Sequence, residues 1–121
     1  MKLAAVQYRD SSGNAGSIYT STSRGVNWER ATAPSGSWRA VTCDDSGQII
    51  AAGQFQGSGS IYISTNGGVS WNAVTGVTGY WNSLCSDSTG QLLVAIQLYG
   101  SSGSSSGGNI YVTTSGYLFI V

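Results

Sequence analysis

Five carboxylates, Asp10, Glu29, Asp44, Asp45 and Asp87, carry all the side-chain acid chemistry of this chain, and it has no histidine. The commonest general base and metal ligand is therefore missing. A glycoside hydrolase needs two carboxyl groups facing one cleft, about 5 to 10 Å apart. Asp44-Asp45 and Asp87 instead occupy turn sequences, where an aspartate hydrogen-bonds its own backbone. Asp44 and Asp45 also lack the regularly spaced oxygen ligands of a calcium loop. No catalytic residue, metal or cofactor is expected.

The aromatic residues suit binding better. Trp38, Tyr80 and Trp81 are candidates to stack on sugar rings. Arg39, Asn82 and the recurring Gln7, Gln54 and Gln97 are candidate hydrogen-bond partners. Each also has a structural reading. The two tryptophans open a strand and would simply pack, and the glutamines would form a ring of structural hydrogen bonds. Five positive and five negative charges cancel. That gives no electrostatic footprint for nucleic acid. No apolar run approaches the roughly 18 residues of a membrane span.

The elements that position these residues are repeats. Trp28 recurs as Trp71 and Trp38 as Trp81, in each case 43 residues on. Ser17–Thr22 recurs at Ser60–Thr65 and again at Asn109–Thr114. Leu3–Tyr8, Ile50–Phe55 and Leu93–Leu98 form a third set. Each period holds four strand candidates. In the complete copy they are Trp38–Cys43, Gln48–Phe55, Ser60–Ser64 and Val69–Thr75, separated by Asp/Gly and Asn/Gly turns. The expectation is an all-β fold of four-stranded antiparallel blades, the period of a propeller.

The turns Ser21-Thr22-Ser23-Arg24-Gly25-Val26-Asn27-Trp28 and Ser64-Thr65-Asn66-Gly67-Gly68-Val69-Ser70-Trp71 resemble the Asp-box, or BNR, repeat of sialidase-like propellers. That motif reads Ser-x-Asp-x-Gly-x-Thr-Trp. Here Ser23 and Asn66 stand at the Asp position, and the third copy from Thr113 to Tyr117 loses the tryptophan. The resemblance gives Ser21, Ser23, Gly25, Trp28, Ser64, Asn66, Gly68 and Trp71 structural roles, with Trp28 and Trp71 packing between blades. It also implies that these turns lie on the face away from an active site. A sialidase would need an arginine cluster with a Tyr/Glu pair, and Arg9, Arg24, Arg30 and Arg39 match no such pattern.

The units expected are blade A at 2–33, lacking its first strand, blade B at 37–76 and blade C at 80–121. About 2.5–3 blades leave an open ring, so completion by a homo-oligomer, a dimer first, is expected. Leu118–Val121 would serve either as the neighbour's missing first strand or as the outer strand of blade C. Loops between second and third strands differ in length, at Arg9–Gly16, Gln56–Gly59 and Tyr99–Gly108, which marks that face for binding. Repeated equivalent pockets there would indicate a non-catalytic, lectin-like glycan binder. A single asymmetric patch would indicate a protein-interaction or structural segment of an extracellular adhesin or assembly factor. Cys43 and Cys85 are expected as free thiols, because the repeat places them one residue out of step. Low charge favours an extracellular setting. Free thiols and an N-terminal apolar run too short for a signal core point the other way.

Overall fold

The computed structural model describes residues 1–101, 107–114 and 117–120, with no side-chain description from Thr114 onward. Ser115, Gly116 and Val121, and most of the Gly/Ser run, lie outside the described residues. Three antiparallel sheets follow one another along the chain. The first contains β1 (Leu3–Val6), β2 (Ile18–Ser21) and β3 (Glu29–Arg30) in that order. The second contains β4 (Trp38–Cys43), β5 (Ile50–Gln54), β6 (Ile61–Ser64) and β7 (Asn72–Ala73). The third contains β8 (Gly79–Ser86), β9 (Leu93–Gly100), β10 (Ile110–Thr114) and β11 (Tyr117–Ile120). The fourth strands β3 and β7 have only two residues each, with exposed side chains and two register pairs, so β7 is shorter than the expected Val69–Thr75. β11 pairs with β10 as the outer strand of its own sheet, so the chain uses this segment itself. The first of the two roles expected for it is thereby corrected.

Alternation along each strand decides what the sheets share. Ala52 faces the first sheet and packs with Ile18 and Trp38. Ala51 and Ile61 face the other way and pack with Trp81, Leu84 and Ala95 of the third sheet. Side chains one residue apart thus serve opposite neighbours, as the pleat requires. Trp38 and Trp81 are fully buried in these joints. Each rests edge-on against a tyrosine, Trp38 on Tyr62 at 5.4 Å and Trp81 on Tyr111 at 5.3 Å between ring centroids. Each indole N–H donates to a carbonyl, of Pro34 and of Gly59 respectively. Backbone bonds sew the joints at matched positions: Gly36 N–H donates to Gly16 C=O at 3.2 Å and Gly79 N–H to Gly59 C=O at 2.9 Å.

The turns between third and fourth strands match atom for atom. Ser21 Oγ accepts from Gly25 N–H at 2.9 Å, and Ser64 Oγ accepts from Gly68 N–H at 2.8 Å. Ser23 Oγ accepts from Asn27 N–H at 2.8 Å, and Asn66 Oδ1 accepts from Ser70 N–H at 2.9 Å. Gly25 and Gly68 have φ of +85° and +92°, a left-handed backbone that glycine adopts without steric cost. Trp28 and Trp71 fold back so that their indole N–H groups donate to Gly25 and Gly68 carbonyls. Trp71 then packs on the first sheet, but Trp28 is 42% exposed because no sheet lies on its far side. Within the described residues Trp28 therefore meets no second sheet, whereas Trp71 does.

Candidate binding face

Of the eight residues expected to contact a ligand, the structure encloses or engages five. Trp38 and Trp81 are wholly enclosed, so no ring face is available for stacking. Gln54 and Gln97 are buried and engaged: Gln54 Oε1 accepts from Ser60 N–H, and Gln97 Nε2 donates to Thr78 C=O at 2.9 Å. Gln97 Oε1 also accepts from Tyr111 O–H, and Gln7 Oε1 from Tyr19 O–H at 3.5 Å. The glutamines are structural pins. They lie against glycines, and a Cβ at Gly36 or Gly79 would collide with the Gln54 or Gln97 amide.

Arg39, Asn82 and Tyr80 remain. Trp38 pairs with Gln54 and Ala40 with Gly53, so Arg39 is the extra residue of a β-bulge. Trp81 pairs with Gln97 and Ser83 with Ile96, which leaves Asn82 at the same bulge one repeat later. Bulges re-aim side chains, often beside binding sites. Arg39 is exposed and lies over the Phe55 ring, 4.2 Å from its centroid.

Phe55 belongs to a line of rings that crosses all three sheets. Tyr8 follows Gln7 at the end of β1, and Phe55 follows Gln54 at the end of β5. Tyr80 and Tyr99 lie at the same end, on β8 and β9. Successive centroids are 6.5 Å apart from Tyr8 to Phe55, 5.2 Å to Tyr80 and 5.9 Å to Tyr99, every contact edge-to-face. Tyr8 is 42% exposed and Tyr99 36%. Arg9 stands over Tyr8 at 5.5 Å, held by a bond to Gly13 C=O. A guanidinium stacked on a ring keeps its in-plane N–H groups available. Sequence reasoning found Tyr80 but missed Tyr8, Phe55 and Tyr99. The signal available was the aromatic residue following Gln7 and Gln54, with Tyr99 one place further on after Gln97.

The opposite end carries turns and a cleft between the second and third sheets. The cleft is lined by Thr42, Ile63, Thr65, Ser86, Gln91 and Thr113 among others, with no ionisable side chain in its wall. Thr42 and Ser86 hydroxyls lie 3.0 Å apart across it. The aspartates close their own turns. Asp44 accepts from Ser46 O–H and Ile49 N–H, and Asp87 from Thr89 O–H and Leu92 N–H. At Asp87 the Thr89 hydroxyl leads the bonds that hold the carboxyl below its usual range. At Asp44 desolvation pushes upward, and the bonds from Ser46 and Ile49 together outweigh it. Asp10 is lowered chiefly by the Asn14 side chain. Cys43 and Cys85 are free thiols, and burial followed by Asp44 and Asp45 raises Cys43.

No family model matches the chain, and no curated protein matches it. Solved structures do. TolB from Acinetobacter baumannii superposes with a TM-score of 0.62 at 17% identity, over 98% of this chain and 29% of that one. A gluconolactonase from Xanthomonas campestris superposes with a TM-score of 0.62 at 16% identity, over 98% of this chain and 42% of that one. The chain thus spans less than half the length of either protein. Both are β-propellers, and this chain accordingly has an all-β, propeller-like fold whose sheets do not close into a ring.

Proposed function

We propose that the chain is a non-catalytic binding module that works through the aromatic ladder and docks a protein partner there. The observation that carries this is the continuity of Tyr8, Phe55, Tyr80 and Tyr99 across three sheets, flanked by Arg9 and Arg39. Tyrosine and arginine are the side chains enriched at the centres of protein interfaces. The ladder is one asymmetric patch. In the third sheet Leu98 stands directly after the glutamine, so the three sheets do not offer equivalent pockets.

A lectin-like reading is the second, favoured by the exposure of Tyr8 and Tyr99 and by the bulges at Arg39 and Asn82. The test is a peptide-library selection on the chain, counter-selected on a Tyr8→Ala/Tyr99→Ala variant, beside a glycan array. Ladder-dependent peptides support the first reading, and ladder-dependent glycans the second. Failure of both overturns the ladder as a binding surface.

The same reading includes self-association. Ile96, Leu98 and Ile110 are exposed on the outer side of the third sheet, and Trp28 at the other end of the row of sheets. By repeat position, these are the two halves of a joint like that between neighbouring sheets. A dimer by light scattering is the expected result, and a strict monomer removes this part of the proposal. The hydrogen-bond scheme of the Ser21 and Ser64 turns supports the Asp-box resemblance as part of the same reading.

A further inference from the structure

In the second and third sheets, the inner edge of the second strand is covered by a strand with one pattern. It reads Gly36-Ser37-Trp38-Arg39-Ala40-Val41 at β4 and Gly79-Tyr80-Trp81-Asn82-Ser83-Leu84 at β8. The contacts recur. The tryptophan pairs with the glutamine of the second strand and rests on the tyrosine of the third. The glycine closes on the glutamine amide, where a larger residue would collide. The residue two after the tryptophan is small, Ala40 or Ser83.

The first sheet has the receiving half of this arrangement. Gln7 stands where Gln54 and Gln97 stand, and Tyr19 where Tyr62 and Tyr111 stand. The bond from Tyr19 O–H to Gln7 Oε1, at 3.5 Å, repeats that from Tyr111 to Gln97 at 3.4 Å. Among the described residues the covering strand has no counterpart. The sheet order is β1-β2-β3, and among the described residues nothing pairs with the other edge of β1. Gln7 N–H donates to Ser17 C=O on the β2 side. By alternation, the amides of Ala4 and Val6 point to the open edge. Phe55, one residue beyond Gln54, shows the outcome elsewhere, since its N–H donates to Ser37 C=O at 2.7 Å.

We propose that the open edge of β1 is an acceptor for an extended segment with the pattern Gly-x-Trp-x-(Ala/Ser)-(Val/Leu). It would add as the inner strand of the first sheet. Main-chain bonds give such strand addition its affinity and alternate side chains its specificity. The tryptophan of the incoming strand lies on Tyr19 and Gln7. Its small residue faces the second sheet, where Trp38 and Val41 already fill the space. The chain's own copies of the pattern are committed to β5 and β9, and β11 to β10. A second copy could donate only by dismantling a four-stranded sheet. This inference is independent of the ladder, which lies at the end of the strands rather than along an edge.

The test uses the full chain and a fluorescent peptide copying residues 36–43 with Cys43→Ser. Saturable binding by anisotropy is expected, at least tenfold tighter than for the same peptide with Trp38→Ser. Hydrogen exchange should slow at Ala4 and Val6. In the protein, Ala4→Pro removes an edge donor but no β2 bond, a placement that edge strands tolerate. It should weaken peptide binding at least tenfold without lowering the melting temperature by more than a few degrees. Absence of saturable binding, equal binding of the Trp38→Ser peptide, or protection confined to the ladder overturns the proposal. Should Ala4→Pro fail to fold, the exchange pattern of the unaltered chain decides alone.

Discussion

The guanidinium of Arg39 lies 4.2 Å from the centre of the Phe55 ring, and a bulge at Arg39 puts it there. Exposed pairs of this kind contribute about 0.5–1 kcal/mol. A double-mutant cycle with Arg39→Ala and Phe55→Leu, followed by denaturant unfolding, should return a coupling of that size. Zero coupling would show that the bulge, and not the ring, sets the position of Arg39.

Ser64 Oγ is the acceptor for the buried N–H of Gly68 and also receives Asn66 N–H. Ser64→Ala leaves a buried donor without a partner, at a cost of about 1–3 kcal/mol. Ser21→Ala removes the matching bond in a turn that no neighbouring sheet covers, so its cost should be the smaller. Equal losses in urea unfolding would contradict the role given to the joint. Asn66→Asp keeps the acceptor for Ser70 N–H and should change stability by less than about 0.5 kcal/mol.

Trp81 is a packing residue. Trp81→Ala should cost about 3–5 kcal/mol, enough to leave the chain partly unfolded. Trp28→Ala, at an exposed site, should cost under half as much. Intrinsic fluorescence divides the same way, because iodide should quench Trp28 readily and leave Trp38 and Trp81 protected. A quenched Trp81 would mean that the joint between second and third sheets opens.

Acid stability follows from the turn aspartates. Asp10, Asp44 and Asp87 have folded-state pKa values below the 3.8 of a free aspartate. Lowered values contribute stability that is present above the unfolded pKa and is lost as pH falls through the folded one. The melting temperature should therefore stay level from neutral pH down to about 5 and decline below about 4. The double variant Asp44→Asn/Asp87→Asn should flatten that decline. An unchanged acid limb in the variant would remove these turns as its source.

Much of this architecture was legible in the sequence. The spacing of Trp38 and Trp81, and the matched Ser21 and Ser64 turns, located strands and turns because each repeat solves the same packing problem. The predicted strand Trp38–Cys43 coincides with β4. Binding residues were harder to find. Trp38 and Trp81 read either as stacking platforms or as packing residues, since sequence does not tell a ring at a strand end from one enclosed by the next sheet. The ladder was hidden because its rings come from three sheets and share no single spacing. The bulges at Arg39 and Asn82 were hidden too, since a bulge is a property of two paired strands and not of either segment alone.

The matched bonds from Gly36 to Gly16 and from Gly79 to Gly59 make the molecule divisible. Excising residues 37–79 would splice Gly36 to Tyr80 and bring Leu93, Ala95 and Gln97 to the places held by Ile50, Ala52 and Gln54. The shortened chain would keep one joint of the native kind. Its unfolding free energy should then fall by one sheet and one joint, the additive, nearest-neighbour behaviour of a linear array. In that sense chain length here sets how much arc is built, while the curvature of the arc is written into each period separately.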